Sequence, residues 1–256
     1  MWNASVYNQF KKERIQPSID LLSRVEKSQD ECQRILDIGC GSGMSTYPLR
    51  KRYEKAQIVG VDLSQEMLNQ AKTMLSDVEW MQRDCSESLT DLGTFDLVFS
   101  NAFIQWLTDQ EQFIKNAKEL MNSNAVFALQ VPSFEEMSIA KIIQSVAKEY
   151  EIGHPKFKEL HNCYNYSVEK YYELFSCNYS SVEIWQTNYF HQMNAHEEIV
   201  EFVKGTALLP YLNCLNEIER EAFLNLVLQN VIDHYKPSPN QKILFEFKRI
   251  FVLASK

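Results

Sequence analysis

The sequence contains no apolar run approaching the roughly 18 residues that a membrane-spanning helix requires, and Met1-Trp2-Asn3-Ala4 opens no charged-then-apolar export signal. A cytoplasmic location is therefore expected, with no membrane partner. Basic residues are the minority: 26 Lys and Arg against 34 Asp and Glu leave a net charge of −8, and none of the cations forms a dense block. That speaks against a nucleic-acid backbone as partner, which needs a basic surface, and leaves a small molecule or a protein. The six cysteines (Cys32, Cys40, Cys85, Cys163, Cys177, Cys214) include no C-x-x-C pair and no tight Cys/His cluster. Structural zinc, a disulfide framework and a resident metal are accordingly not expected. There is no internal repeat, low-complexity tract or linker.

What is present fits a globular chain. Hydrophobic residues make up 45% and charged residues 23% of 256 positions, enough for one domain with an elaboration and a sizeable core. Strand-like runs at Arg34 to Ile38, Gln57 to Val61, Val78 to Gln82, Phe95 to Ser100 and Ala125 to Val131 alternate with helical stretches as far as Pro132. This is the pattern of a parallel sheet covered on both faces. Ser64 can cap a helix in which Met67, Leu68, Ala71, Met74 and Leu75 share a face; Phe113, Ile114, Ala117, Leu120 and Met121 repeat that spacing. Beyond Pro132 the rhythm turns helical, with Ile139, Ile142, Ile143, Val146 and Tyr150 on one face and a short amphipathic stretch from Ser167 to Phe175. Val182 to Phe190 reads as a strand, and two helices follow, opening with Asn194/Glu197 and Asn216/Glu219 as capping boxes, the first stopping at Gly205. Ile243 to Ala254 leaves no room for a crossover helix and reads as an added antiparallel strand. The expected architecture is a single α/β domain over 1–256, a Rossmann-like, mostly parallel sheet with an antiparallel last strand. Helical cap insertions are expected at about 133–177 and 191–240.

The chemistry concentrates at the strand ends. Asp37-Ile38-Gly39-Cys40-Gly41-Ser42-Gly43 follows the first strand, and Asp62 closes the second, 19 residues past the last glycine. Glycines there let backbone approach a ligand, and a carboxylate at the next strand tip can accept both hydroxyl hydrogens of a ribose. The dinucleotide motif G-x-G-x-x-G has a later third glycine, whereas here Met44 takes that place. The spacing instead resembles the G-x-G-x-G of class I S-adenosylmethionine-dependent methyltransferases, which makes S-adenosyl-L-methionine the expected cofactor.

Each candidate has a plainer reading beside it. Asp37 can hold the methionine ammonium or merely order the turn; Asp62 can hold the ribose or cap the helix at Ser64. Asp84, with Cys85, ends the third strand where an adenine edge would be read, or is a solvated acid. Cys40 reads as a small apolar filler. Asn101 and Ala102 end the fourth strand, facing the methionine and sulfonium, and Leu63 and Trp106 complete the expected cofactor set with Gly39, Cys40, Gly41 and Gly43. For the acceptor, Tyr7, Phe10 and Arg14 lie at i, i+3 and i+7, so Arg14 reaches a carboxylate or makes a surface salt bridge. Tyr189, His191 and Gln192 end a strand, where a lone histidine is as readily structural as catalytic. Arg249, between apolar neighbours, meets an internal acid or binds an anion.

Several segments together carry a fuller resemblance. These are W-N-x-S-x-Y-x-x-F-x-x-E-R at Trp2 to Arg14, D-I-G-C-G-S-G, S-N-A-x-x-Q-W-L at Ser100 to Leu107, Y-F-H-Q-M at Tyr189 to Met193, and F-K-R-x-F at Phe247 to Phe251. Over almost the whole chain they resemble the trans-aconitate methyltransferases. The resemblance implies a class I methyltransferase fold, methyl transfer from S-adenosylmethionine to a carboxylate of trans-aconitate, and Trp2, Tyr7, His191 and Arg249 as site-lining residues, with Tyr7, His191 and Arg249 acting on the acceptor. One departure stands out. The family's typical G-T-G-L-R-P-Y-L is here Gly205-Thr206-Ala207-Leu208-Leu209-Pro210-Tyr211-Leu212, and Leu209 cannot bind an anion. The rival readings are transfer to a malonyl group on a carrier protein or to a small-molecule hydroxyl, a cofactor-binding module without catalysis, and a nicotinamide oxidoreductase.

Overall fold

The computed structural model describes residues 10–151, 157 and 166–256. Among them, β1 (Arg34–Ile38), β2 (Gln57–Asp62), β3 (Glu79–Gln82), β4 (Phe95–Asn101), β5 (Met121–Pro132), β6 (Ser181–Met193) and β7 (Ile243–Ser255) form one sheet in the order β3-β2-β1-β4-β5-β7-β6. The pairings among β1 to β5 are parallel, and β7 runs antiparallel to β5. The helices are α1 (Lys11–Ser23), α2 (Thr46–Arg52), α3 (Gln65–Met74), α4 (Gln110–Glu119), α5 (Ser138–Glu151), α6 (Val168–Asn178), α7 (His196–Lys204), α8 (Leu209–Cys214) and α9 (Glu217–His234).

The chain separates into two compact units. The larger comprises Ile15–Pro132, described residues of Asn165–Thr187, and Arg249–Lys256. Its core is the strand interior of β1, β2, β4 and β5 with α4 and α6: Leu36, Val59, Val98, Phe127, Phe113, Ile114 and Phe175 are all buried. Continuous apolar strands are what a sheet covered on both faces demands. At its amino edge the Asp96 carboxylate ties three strands: Oδ2 accepts the backbone N–H of Gln33 and of Arg34, both at 2.9 Å, and Oδ1 accepts Asn122 Nδ2 at 2.7 Å. Helix α6 belongs to this unit, although the sequence reading assigns its first ten residues to an insertion.

The smaller unit comprises described residues of Met1–Arg14 and Ser133–Tyr164, and Asn188–Lys248. Its core is built by α5, α7 and α9 with Phe10, Phe245 and Phe247. Helix α9 opens with the expected box: Asn216 Oδ1 accepts the Glu219 amide at 3.0 Å, and the Glu219 carboxylate accepts the Asn216 amide at 2.8 Å. The counterpart at Asn194 differs. Its amide donates to Glu198 rather than Glu197, at 2.7 Å, and α7 starts after Ala195 with no side-chain cap. The apolar face of α4 also ends sooner than its periodicity suggests: Leu120 closes the helix and Met121 already belongs to β5.

Candidate active site

The carboxyl ends of β1, β2, β3, β4 and β5 bring the sequence-predicted cofactor residues of the larger unit to one edge of the sheet. After β1 the chain turns through three glycines with φ of +71° (Gly39), +54° (Gly41) and +82° (Gly43), a region that side-chain-bearing residues avoid. Gly39 is required twice over, because a Cβ there would lie 2.1 Å from the Phe103 ring. A Cβ on Gly41 would meet nothing within 4 Å, so this peptide faces open space.

Asp62 holds that turn to the next strand. One carboxylate oxygen accepts the Gly41 N–H at 2.9 Å and the other the Ser64 N–H at 2.8 Å. Ser64 is itself the cap of α3, its hydroxyl accepting the Met67 amide at 3.3 Å, so capping falls to Ser64 and Asp62 supports it. Each Asp62 oxygen has a lone pair to spare.

Asp37 is fully buried. Oδ2 accepts the Thr46 hydroxyl at 2.6 Å and the Ser45 hydroxyl at 3.1 Å, while among the described residues Oδ1 has no hydrogen-bond partner. Burial pushes its carboxyl up to about 7 against those two hydrogen bonds, with the charge of Asp62 adding to the rise. Asp37 thus orders the start of α2 through hydroxyls rather than through backbone amides, and still keeps one oxygen uncommitted.

Asp84 is exposed; Oδ1 accepts both the Ser86 hydroxyl at 2.6 Å and the Ser86 amide at 2.9 Å, and these bonds hold its carboxyl below the ordinary value. Cys40 and Cys85 are buried thiols. Burial raises Cys40 well above its usual range and Cys85 to about 12, so neither is a nucleophile near neutral pH. Two large apolar side chains stand out at this edge, Leu63 at 64% exposure and Trp106 at 44%. At the end of β4, Asn101 Oδ1 is buried without a partner among the described residues, and Ala102 adopts φ 56°, a strained conformation for alanine, with its N–H given to Gln130 O at 2.8 Å. Arg249 is 8% exposed and lies opposite Pro132 in the β5–β7 ladder, at the same carboxyl edge.

The smaller unit holds the other candidates. His191 is half-buried within an aromatic group, its ring 5.4 Å from Phe202, 6.3 Å from Phe245, 6.4 Å from Phe247, and 6.3 Å from Tyr189 at an interplanar angle of 11°. Arg14 gives Nη2 to Phe202 O at 2.9 Å and lies 4.9 Å over that ring. Gln192 is exposed, Phe10 is buried, and Leu209 is exposed at the first position of α8. Trp2 and Tyr7 lie outside the described residues.

Residues that the sequence reading passed over are also present. Ser45 and Thr46 support Asp37, and Phe103 shapes Gly39. Gln105 donates to Ala102 O at 2.7 Å, and among the described residues its buried Oε1 has no partner. Gln130 is fully buried, and among the described residues neither amide atom has a hydrogen-bond partner. Its signal was a single amide inside the apolar run of β5. Among the described residues, no group of three or more His, Cys, Asp or Glu is arranged to hold a metal, and no helix is long and apolar enough to cross a membrane.

A glycine turn after β1, an acid at the tip of β2 and an antiparallel β7 inserted between β5 and β6 define a class I methyltransferase. Residues 35–124 match the sequence family described as a methyltransferase domain. Across its whole length the chain is 34% identical over 255 residues to the trans-aconitate 2-methyltransferase of Klebsiella pneumoniae, covering 98% of it. Over 253 residues it is 33% identical to the enzyme of that name from Escherichia coli, covering 97% of it. The fold is similar to that of the YcgJ protein of Bacillus subtilis, with a TM-score of 0.62 at 16% identity over 94% of this chain and 98% of that one. It is also similar to phosphoethanolamine N-methyltransferase 2 of Haemonchus contortus, with a TM-score of 0.57 at 16% identity over 93% of this chain and 52% of that one. The chain belongs to the trans-aconitate 2-methyltransferase family and is an S-adenosylmethionine-dependent methyltransferase.

Proposed function

We propose that this enzyme transfers the methyl group to a carboxylate of a small polycarboxylic acid, trans-aconitate first, giving a monomethyl ester. The observation that carries the reading is the full-length identity of 33–34% to enzymes of that name. The Arg249 guanidinium, buried at the carboxyl edge, supports it, since its planar fork of N–H donors matches a carboxylate. S-adenosylmethionine supplies an electrophilic methyl carbon on its sulfonium.

The residues present fit that molecule. The open face of Gly41 leaves room for it beside the turn, the spare lone pairs of Asp62 suit a ribose diol, and Asp37 Oδ1 and Asn101 Oδ1 suit N–H donors of an ammonium. Exposed Leu63 and Trp106 offer apolar surface, Leu63 for the base face; Cys40 and Cys85 are buried near the strand ends, and Asp84 retains a carboxylate oxygen for an exocyclic amine. Gly39 and Gly43 shape the turn, and Ala102 carries the chain past the sulfonium.

A carboxylate acceptor is already ionised at neutral pH, so no side chain has to remove a proton. Held by these residues, the cofactor would supply its methyl group to a carboxylate lone pair of the acid, and no proton would change hands. The protein's task is alignment and exclusion of water. Arg249 binds and orients the acceptor; Tyr7 and His191 are assigned to it through the family resemblance.

Leu209 favours a second reading at the level of the substrate. The family pattern places an arginine there, and its loss points to an acid with one fewer carboxylate to anchor; leaving such a group unpaired costs on the order of 1 to 3 kcal/mol. Assaying methyl-labelled cofactor with aconitate isomers and with saturated and unsaturated dicarboxylic acids tests both readings. Ester from trans-aconitate supports the first, and a dicarboxylate with the higher kcat/KM supports the second. No ester from any of these acids sinks both.

A further inference from the structure

A buried amide without partners occupies the middle of the candidate site. Gln130 is fully buried in β5, and among the described residues neither its Oε1 nor its Nε2 has a hydrogen-bond partner. An unsatisfied buried polar atom costs about 1 to 3 kcal/mol, and Gln130 has two. Which end of the amide is nitrogen does not alter the point, because both ends are unmatched.

The sheet register fixes its neighbours. Gln130 pairs with Asn101 of β4 and with Phe251 of β7, and Pro132, two residues on, pairs with Arg249. In β1, Asp37 pairs with Phe99, which pairs with Ala128. Side chains two residues apart share a sheet face, and paired residues on adjacent strands do too. Asp37, Asn101, Gln130 and Arg249 therefore share one face on the four neighbouring strands β1, β4, β5 and β7, with strands about 4.8 Å apart. On that face, with Asp37 two residues back along the strands from the paired Asn101 and Gln130, Asp37 Oδ1, Asn101 Oδ1 and Gln130 Oε1 are three buried acceptors without a donor among the described residues. Among the described residues Gln130 Nε2 is a buried donor without an acceptor, and the next strand, β7, carries Arg249 on the same face.

We propose that Gln130 bridges the two substrates, its Oε1 accepting an N–H of the cofactor's α-ammonium and its Nε2 donating to the acceptor carboxylate. Three unmatched acceptors on adjacent strands equal in number the three N–H groups of an ammonium. The remaining donor and the Arg249 guanidinium match an anion, in the order along the sheet that methyl transfer needs. One side chain then touches both reactants and fixes the acceptor oxygen relative to the sulfonium, which makes Gln130 a catalytic residue. The Nε2 half of this assignment rests on the carboxylate reading given above; the Oε1 half needs only the cofactor.

Gln130→Leu and Gln130→Asn separate the possibilities in the full-length enzyme. In Gln130→Leu, S-adenosylhomocysteine should bind several-fold more weakly by calorimetry, while the analogue lacking the α-amino group binds as it does to the wild type. At saturating cofactor, kcat/KM for the acid should fall at least tenfold. The ligand-free variant should melt above the wild type, since an apolar side chain replaces an unsatisfied amide. Gln130→Asn keeps the amide but withdraws it by one methylene, and should lose turnover in the same way without the gain in melting temperature.

Unchanged S-adenosylhomocysteine affinity in Gln130→Leu, unchanged kcat/KM in both variants, or a clear fall in melting temperature with Gln130→Leu would each overturn the assignment. If the wild type methylates no carboxylic acid, the carboxylate reading and the Nε2 contact fail together. The paired nucleoside measurements still decide the Oε1 contact.

Discussion

Asp37 shows how a single residue couples stability to function. Its carboxyl is raised from 3.8 to about 7, with burial the first cause. Between those values the folded chain keeps a proton that the unfolded chain has released, so stability falls as pH rises through the window from about 4 to 7. Asp37→Asn has no proton to release. It should melt above the wild type at pH 8, the gap closing below about pH 4, as thermal melts across that range would register. Binding runs the other way, because an ammonium prefers the ionised carboxylate. S-adenosylhomocysteine affinity in the wild type should tighten up to about pH 7 and then level off, and this trend should vanish in Asp37→Asn. The glycines give a second contrast. Gly41→Ala introduces a methyl into open space at positive φ, costing about 1 to 2 kcal/mol in conformation alone, and should abolish cofactor binding while leaving a folded protein. Gly39→Ala also drives a Cβ into the Phe103 ring and should cost about 1 to 3 kcal/mol more, seen as the lower melting temperature of the two. The meeting of Asp37, Asp62 and the glycines at one sheet edge was legible because they form a motif along one stretch of chain. Gln130 was not, since its meaning depends on which strands flank β5 and on which face of the sheet it lies.

At the scale of elements, sequence and structure agree where a pattern is long and diverge where it is short or interrupted. Strand β1 begins and ends where its apolar run does, and α9 is opened by the box formed by Asn216 and Glu219. Asn216→Ala should cost about 1 kcal/mol in a chemical-denaturation curve. Asn194→Ala should cost less, because its exposed bonds to Glu198 precede α7 without capping it. Helix α8 was missed for physical reasons: it has six residues, no side-chain cap, and a proline in its first turn. Periodicity also ran past the end of α4, because Leu120 and Met121 are buried in the same core that the helix face enters. An apolar face tells what is covered, and the carbonyl and amide bonding of Leu120 decides where the helix gives way to β5.

At the scale of the whole molecule, the elements that hold the predicted cofactor residues all belong to the larger unit, and most of the acceptor candidates, His191, Arg14 and Leu209 among them, belong to the smaller. That division explains why the class of enzyme was easier to read than its substrate. The glycine turn with Asp62 sits on two successive strands of one sheet, whereas the acceptor residues are scattered from the first residues of the chain to the last strand. Leu209 is a position where the chain leaves the family pattern with the loss of a cation, and Leu209→Arg tests its weight: KM for a tricarboxylic acid should fall about tenfold with kcat little changed, while the dicarboxylic acids gain nothing. The most direct measurement of the account is single-turnover transfer from cofactor labelled in its methyl group to trans-aconitate, with the product identified by mass spectrometry and by cleavage in mild base. One labelled methyl on the acid, released by base as an ester should be, is the predicted result. A wild-type enzyme that binds S-adenosylhomocysteine yet places no label on trans-aconitate or on any other di- or tricarboxylic acid would contradict it.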